Sequence, residues 1–237
     1  MMRKSLAAAC GVLCLAMAPV FAAEKPTVGV AEFNNTATGV YWWGGGVGWE
    51  LASMVSNELA NSGKFSVVER NKLESVLREQ DLASSGRVAK PKAAKTGKLT
   101  GAQYLVMGTV TAFERNTQST GGGISFGGIA IGGKKDEAYL AIDLRVVDTT
   151  TGEVSFNRTV EGRSGGFGLN LGIFKGGFGG TLGHEEKTPA GKAIRAAIVE
   201  ITDYLSCAMV DKGGCMDEYN AKEQKRRSGL KDSIKLD

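Results

Sequence analysis

The sequence predicts an α/β (α+β) domain on a mixed sheet, with two glycine-rich β-hairpins projecting from it. Three observations lead there. Short apolar strands alternate with amphipathic helices in the first half of the chain. Two further strands follow, Tyr104–Phe113 and Tyr139–Asp148, the second with Leu140, Ile142, Leu144 and Val146 on one face and Asp143 and Arg145 on the other. Glycine is then concentrated beside those strands: it fills seven of the thirteen positions from Gly121 to Gly133 and ten of the twenty-two from Gly162 to Gly183.

The first 22 residues read as a secretory signal. Arg3 and Lys4 form its basic start, Leu6–Ala18 its apolar run, and Val20-Phe21-Ala22 the cleavage site. A lipoprotein signal would need a small-residue run ending in the acylated cysteine. Cys10 has too little apolar sequence before it, and Leu13 stands where Cys14 would need a small residue, so cleavage after Ala22 is expected. Without Arg3 and Lys4 the chain keeps 27 basic and 25 acidic side chains. That balance gives no reason to expect nucleic acid or another polyanion as a partner.

Thr27–Phe33 is the first expected strand, with Val28, Val30 and Phe33 apolar. Asn34–Gly48 is a loop holding Tyr41, Trp42, Trp43 and a run of glycines. Adjacent tryptophans amid glycines are not expected to share one core, which favours an exposed role for the pair. Glu50–Ala60 carries Leu51, Met54, Val55 and Leu59 at helical spacing. Phe65–Val68 is a short strand. Asn71 followed by Glu74 predicts a capping box for a helix bearing Leu73, Val76 and Leu77. The Lys/Ala/Gly-rich stretch 86–98 is a loop or short helix.

Thr149–Glu153 turns the chain into a strand at Val154–Val160. Pro189 opens a helix whose Ala193, Ile194, Ala197, Ile198, Ile201 and Leu205 form one face. Residues 217–237 form a charged tail, expected as a solvated helix or a loose segment. Cys207 and Cys215 lie close together, and in an oxidising compartment they are expected to form a disulfide. These two cysteines, with His184 the chain's one histidine, make no recognisable zinc spacing.

No stretch after the leader is long and apolar enough for a membrane helix, so any membrane crossing would need closed β-structure. In Phe167, Leu169, Leu171 and Ile173 apolar side chains occupy alternate positions, with Gly168, Asn170 and Gly172 between them. One apolar and one small or polar face suits lipid outside and water inside. Thr117–Ala138 is the matching first hairpin, its tip at Gly127-Gly128 or at 132–136. Two hairpins cannot close a barrel, so several chains would have to share one wall. The alternative is a pair of glycine-rich loops that meet no lipid.

The functions excluded are as informative. Gly44–Gly48 fits the dinucleotide fingerprint poorly because Trp49 interrupts it, and no Walker signature is present. A single histidine leaves no Ser/His/Asp or Cys/His arrangement, so no enzyme, cofactor or metal is expected.

Gly63–Gln80, Gly101–Glu114, Leu140–Val154 and Leu169–Gly177, in this order, resemble the CsgG family of curli secretion channels. The glycine-rich Ser119–Gly123 and Leu169–Gly177 lie where that family has its transmembrane hairpins. The resemblance implies a homo-oligomeric ring in the outer membrane, each subunit giving four strands to a shared transmembrane β-barrel above a periplasmic α/β vestibule. The implied cargo is unfolded, amyloid-type polypeptide moving by diffusion, with outer-membrane lipid around the barrel and periplasmic accessory factors beside it. It also implies that the loop 34–48 forms a constriction, at Tyr41, Trp42 and Trp43, although the family's amide is missing there. The implied division is a periplasmic part over 23–113, hairpins over 114–138 and 163–187 with strands 139–162 between them, and a C-terminal helix over 188–216. A periplasmic adaptor of the same superfamily, binding partner proteins and forming no pore, is the competing expectation.

Overall fold

The computed structural model describes residues 24–119, 125–126, 129–130, 134–165, 180–185 and 187–233. The leader, Cys10, Cys14 and the alternating run Phe167, Leu169, Leu171 and Ile173 lie outside them. The elements in chain order are β1 (Thr27–Val30), β2 (Asn34–Asn35), α1 (Val47–Asn61), β3 (Ser66–Val68), α2 (Leu73–Ser84), β4 (Tyr104–Ser119), β5 (Ser125–Phe126), β6 (Ile129–Ala130), β7 (Lys134–Asp148), β8 (Val154–Arg163), α3 (Pro189–Leu205) and α4 (Cys215–Ser233). Single 3₁₀ turns occupy Lys90–Lys92 and Gly180–Glu185.

The sheet is mixed, in the order β3-β1-β4-β7-β8, with β2 joining β4. β3, β1 and β4 run parallel, whereas β4, β7 and β8 form antiparallel ladders. The alternation in β7 explains which face is covered. Leu140, Ile142, Leu144 and Val146 are at most 1% exposed, while Asp143 and Arg145 between them face solvent. Onto the apolar face α1 brings Leu51, Val55 and Leu59, and α3 brings Ile194, Ile198, Ile201 and Leu205. Each such aliphatic side chain contributes about 1.5–3 kcal/mol when fully buried.

Local chemistry sets the helix starts. The Thr188 hydroxyl accepts a hydrogen bond from the Gly191 N–H at 3.1 Å, and Pro189 follows in the first helical turn of α3. α3 can lie against β8 because position 162 is glycine: a Cβ there would stand 2.0 Å from the Ala193 carbonyl oxygen. α1 starts at Val47, three residues ahead of the expected Glu50. A Cβ at Gly48 would meet the Phe33 carbonyl at 2.3 Å, and that carbonyl's residue is itself buried in the core.

Several expectations are corrected. The first strand stops at Val30, and Phe33 turns into the core from the following segment. No capping box forms at Asn71. Its side-chain amide donates to the Ser53 hydroxyl at 3.0 Å, and the N–H of Lys72 is bonded instead by the Glu69 carboxylate. α2 buries none of its residues, and Val76 and Leu77 are 37% and 42% exposed. At the C-terminus the chain after Leu205 widens into a π-helical turn, Ser206–Asp211, and reverses through Lys212 at φ 45°. It then continues as the helix α4, the solvated-helix form of the charged tail. The Cys207–Cys215 disulfide spans that reversal, with Cα atoms 6.0 Å apart.

Candidate functional site

β4 and β7 do not end where their apolar alternation ends. Their ladder runs without a break in pairing order from Tyr104↔Asp148 to Ser119↔Lys134, with one bulge between Val110 and Ala112. β8 still pairs with β7 at Tyr139↔Arg163, and Ala138, opposite Arg115, is still buried in the core; beyond that pair β4 and β7 continue as a two-stranded ribbon. Further along the chain Phe126 pairs antiparallel with Ile129, and both expected tip positions include residues outside the described ones.

The loop 34–48 is stitched to β4 at its bulge. Asn34 and Asn35 pair with Thr109 and Val110. The Val110 carbonyl accepts from the N–H of Thr36 at 2.9 Å, the N–H of Ala37 at 3.2 Å and the Thr36 hydroxyl at 3.3 Å. A bulge adds twist and bends its strand, so the site that anchors the loop is also where the ribbon is re-aimed.

The three aromatic residues of the loop do different things. Trp42 is 4% exposed and belongs to the hydrophobic core, its ring 5.6 Å from that of Phe113 in a T-shaped contact. Trp43 is partly buried, packed against the same core and 5.9 Å from Trp42. The expectation that the tryptophans cannot both face one core is therefore corrected. The tilted pairing of their rings lets Trp42 enter the core while Trp43 covers it. Tyr41 alone is largely exposed, at 55%. It meets Phe113 edge-on at 5.9 Å, and the Arg115 guanidinium lies 5.9 Å from its ring centre.

Phe113 and Arg115 were not picked out from the sequence. The available signal was their spacing: two positions apart on one strand, they share a face, and that face receives the loop. The end of the second glycine-rich segment, Gly180–Glu185, packs on α1. Leu182 is fully buried, and its N–H donates to the Glu50 carboxylate of α1 at 2.9 Å. His184 is exposed, and no three metal-ligating side chains gather among the described residues. No described helix is long and apolar enough to cross a membrane.

The arrangement is thus an aromatic loop fixed against the root of a projecting β-ribbon, and its chemistry is positional rather than catalytic. Over residues 12–234 the chain matches the family model described as "Curli production assembly/transport component CsgG". The chain belongs to the CsgG family. A protein of Neisseria meningitidis serogroup B named as a lipoprotein is 29% identical over 194 residues, covering 80% of this chain and 78% of its own. Salmonella typhimurium CsgG is 25% identical over 172 residues, 68% of this chain, and the match spans 61% of the length of that relative. Among solved structures, a hypothetical protein of Chlamydia trachomatis aligns over 79% of this chain and 99% of its own at 14% identity, with a TM-score of 0.45. CsgG family proteins are transport components, not enzymes.

Proposed function

We propose that this chain is one subunit of an oligomeric outer-membrane pore that exports unfolded polypeptides from the periplasm to the cell surface by diffusion. Membership of the CsgG family supports that role and an envelope location. The observation that carries it is the β4–β7 ladder, which continues past Phe113 as far as Ser119↔Lys134, at the two edges of the first glycine-rich segment. A ribbon with unpaired edges needs neighbours, and identical subunits standing side by side supply them. Each subunit gives two hairpins to the shared wall, 114–138 and a second that starts at 163 and ends before the turn Gly180–Glu185, where Leu182 is buried in the core instead of facing lipid. Phe167, Leu169, Leu171 and Ile173 face lipid.

In this reading the loop 34–48 narrows the conduit. Tyr41 presents its ring, while Trp42 and Trp43 hold the loop against Phe113. An aromatic ring passes an unfolded chain while slowing leakage of small solutes.

The test is fractionation combined with one substitution. Wild-type protein is expected in the outer membrane as a ring resistant to dodecyl sulfate. Leu171→Arg costs about 2–4 kcal/mol near the midplane and should prevent insertion. Normal assembly of that variant would contradict the lipid-facing assignment. A monomer released with the periplasm would instead favour the adaptor reading.

A further inference from the structure

The 3₁₀ turn at Lys90–Lys92 lies within the most one-sided stretch of charge in the chain. Arg87, Lys90, Lys92, Lys95 and Lys98 fall within twelve positions, and no acidic residue occurs from Leu82 to Phe113. All five side chains are exposed, and none forms an ion pair among the described residues. The excess of the chain without its leader is only 27 basic over 25 acidic groups, so this loop holds more positive charge than the whole and leaves the remainder acidic. Such segregation creates a local attractive field for anions that the balanced total conceals.

The backbone displays these cations rather than folding them away. The Lys92 N–H donates to the Ala89 carbonyl at 2.8 Å, closing the turn around Pro91. Gly86 and Gly97, at φ 76° and 71°, bend the chain at either side. Leu82 and Leu99 flank the stretch and are 40% and 49% exposed, so apolar surface lies beside the charge.

Topology states which way the loop faces. It leads into β4 at Tyr104, which pairs with Asp148, whereas the ribbon leaves from the other end of the same ladder at Ser119↔Lys134. If the ribbon enters the outer membrane, the loop lies at the end of the sheet away from lipid.

We propose that residues 87–99 form a capture surface for acidic, unfolded polypeptide at the periplasmic mouth of the pore. The proposal rests on the pore reading above and adds to it the chemistry of what is recognised. Carboxylates spaced along an extended chain can meet cations spaced two or three residues apart, and short apolar residues between them can reach Leu82 and Leu99. In a ring the loop is repeated once per subunit, so weak contacts add by avidity.

Fluorescence anisotropy of the assembled full chain in lipid nanodiscs tests this with three probes. They are a labelled disordered peptide alternating glutamate with glycine, serine or asparagine, its twin with lysine for glutamate, and vesicles containing phosphatidylglycerol. The glutamate peptide is expected to bind and the lysine twin not to. Salt near 1 M, where screening acts within about 3 Å, should release it. The triple variant K90E/K92E/K95E should lose about tenfold or more in affinity, a change of about 1.4 kcal/mol or more, and K90Q/K92Q/K95Q a smaller amount. Equal binding of both peptides, undiminished binding by the charge-reversed variant, or a loop that binds only the vesicles would overturn the proposal. Ion conductance without peptide separates the two ideas. It should be unchanged by these substitutions, and its absence in the wild type with peptide binding intact would count against the pore alone.

Discussion

Trp42 packs edge-on against Phe113, ring centres 5.6 Å apart, and so fastens the loop 34–48 to the strand that becomes the projecting ribbon. The contact joins two features that sequence separates by seventy residues: a glycine-rich aromatic loop and the root of a hairpin. Any movement of one is transmitted to the other through a buried ring pair.

The first prediction concerns that pair. Trp42→Ala should lower stability by about 3–5 kcal/mol, the usual cost of emptying a buried aromatic site. Trp42→Phe should cost clearly less. It keeps a ring against Phe113 and removes an indole N–H that meets no acceptor among the described residues. Tyr41→Ala, at an exposed ring, should leave the melting temperature nearly unchanged and raise single-channel conductance. Thermal unfolding and conductance on the same three variants separate core from constriction.

A second prediction concerns the close approach of α3 to β8. Gly162→Ala puts a methyl group 2.0 Å from the Ala193 carbonyl oxygen and 2.8 Å from the Ala197 nitrogen, both backbone atoms that cannot swing aside. The helix must lift, at a cost of about 1–3 kcal/mol. Chemical denaturation of Gly162→Ala beside an exposed control such as Gly214→Ala, where a Cβ meets nothing within 4 Å, measures the difference.

The Cys207–Cys215 bridge closes a loop of sequence separation 8 across the turn between α3 and α4. Chain entropy assigns so short a loop about 2–3 kcal/mol. Cys207→Ser with Cys215→Ser should therefore speed proteolysis of α4 while leaving the sheet protected. Arg158 opposes complete release, because its guanidinium donates to the Tyr219 carbonyl at 2.7 Å and lies 4.9 Å and 5.3 Å from the Tyr219 and Tyr204 rings.

Acid should loosen the same helix. Hydrogen bonds from Arg226 first, and then from Arg227, hold the Glu223 carboxyl down to about 2 from an ordinary value of 4.5. A carboxyl depressed in the folded state adds stability that is complete above about 4.5 and lost as pH falls towards 2. Helical circular dichroism should therefore decline over that window, and Glu223→Gln should remove part of the decline.

Much of this fold is legible from alternation and caps. Leu140, Ile142, Leu144 and Val146 mark the buried face of β7 by two-residue spacing, and Thr188-Pro189 marks the start of α3. What is not legible depends on partners far off in sequence. Asn71 looks like a cap, but Ser53, eighteen residues earlier, takes its side chain. Trp42 looks exposed amid glycines, yet those glycines let the loop fold back until Phe113 is within reach. In β4 the apolar period stops at Phe113, with Glu114 and Arg115 exposed, while its pairing with β7 continues to Ser119↔Lys134. For the candidate site, the loop residues could be read from sequence, whereas Phe113 and Arg115 beneath them needed the register.

The central claim is that identical chains build one pore from these ribbons, and single-channel recording on protein extracted from the outer membrane tests it most directly. The account predicts discrete, stable conductance steps from an oligomeric ring, with larger steps for Tyr41→Ala. A pure, folded protein that stays monomeric and opens no channel in a planar bilayer would contradict it.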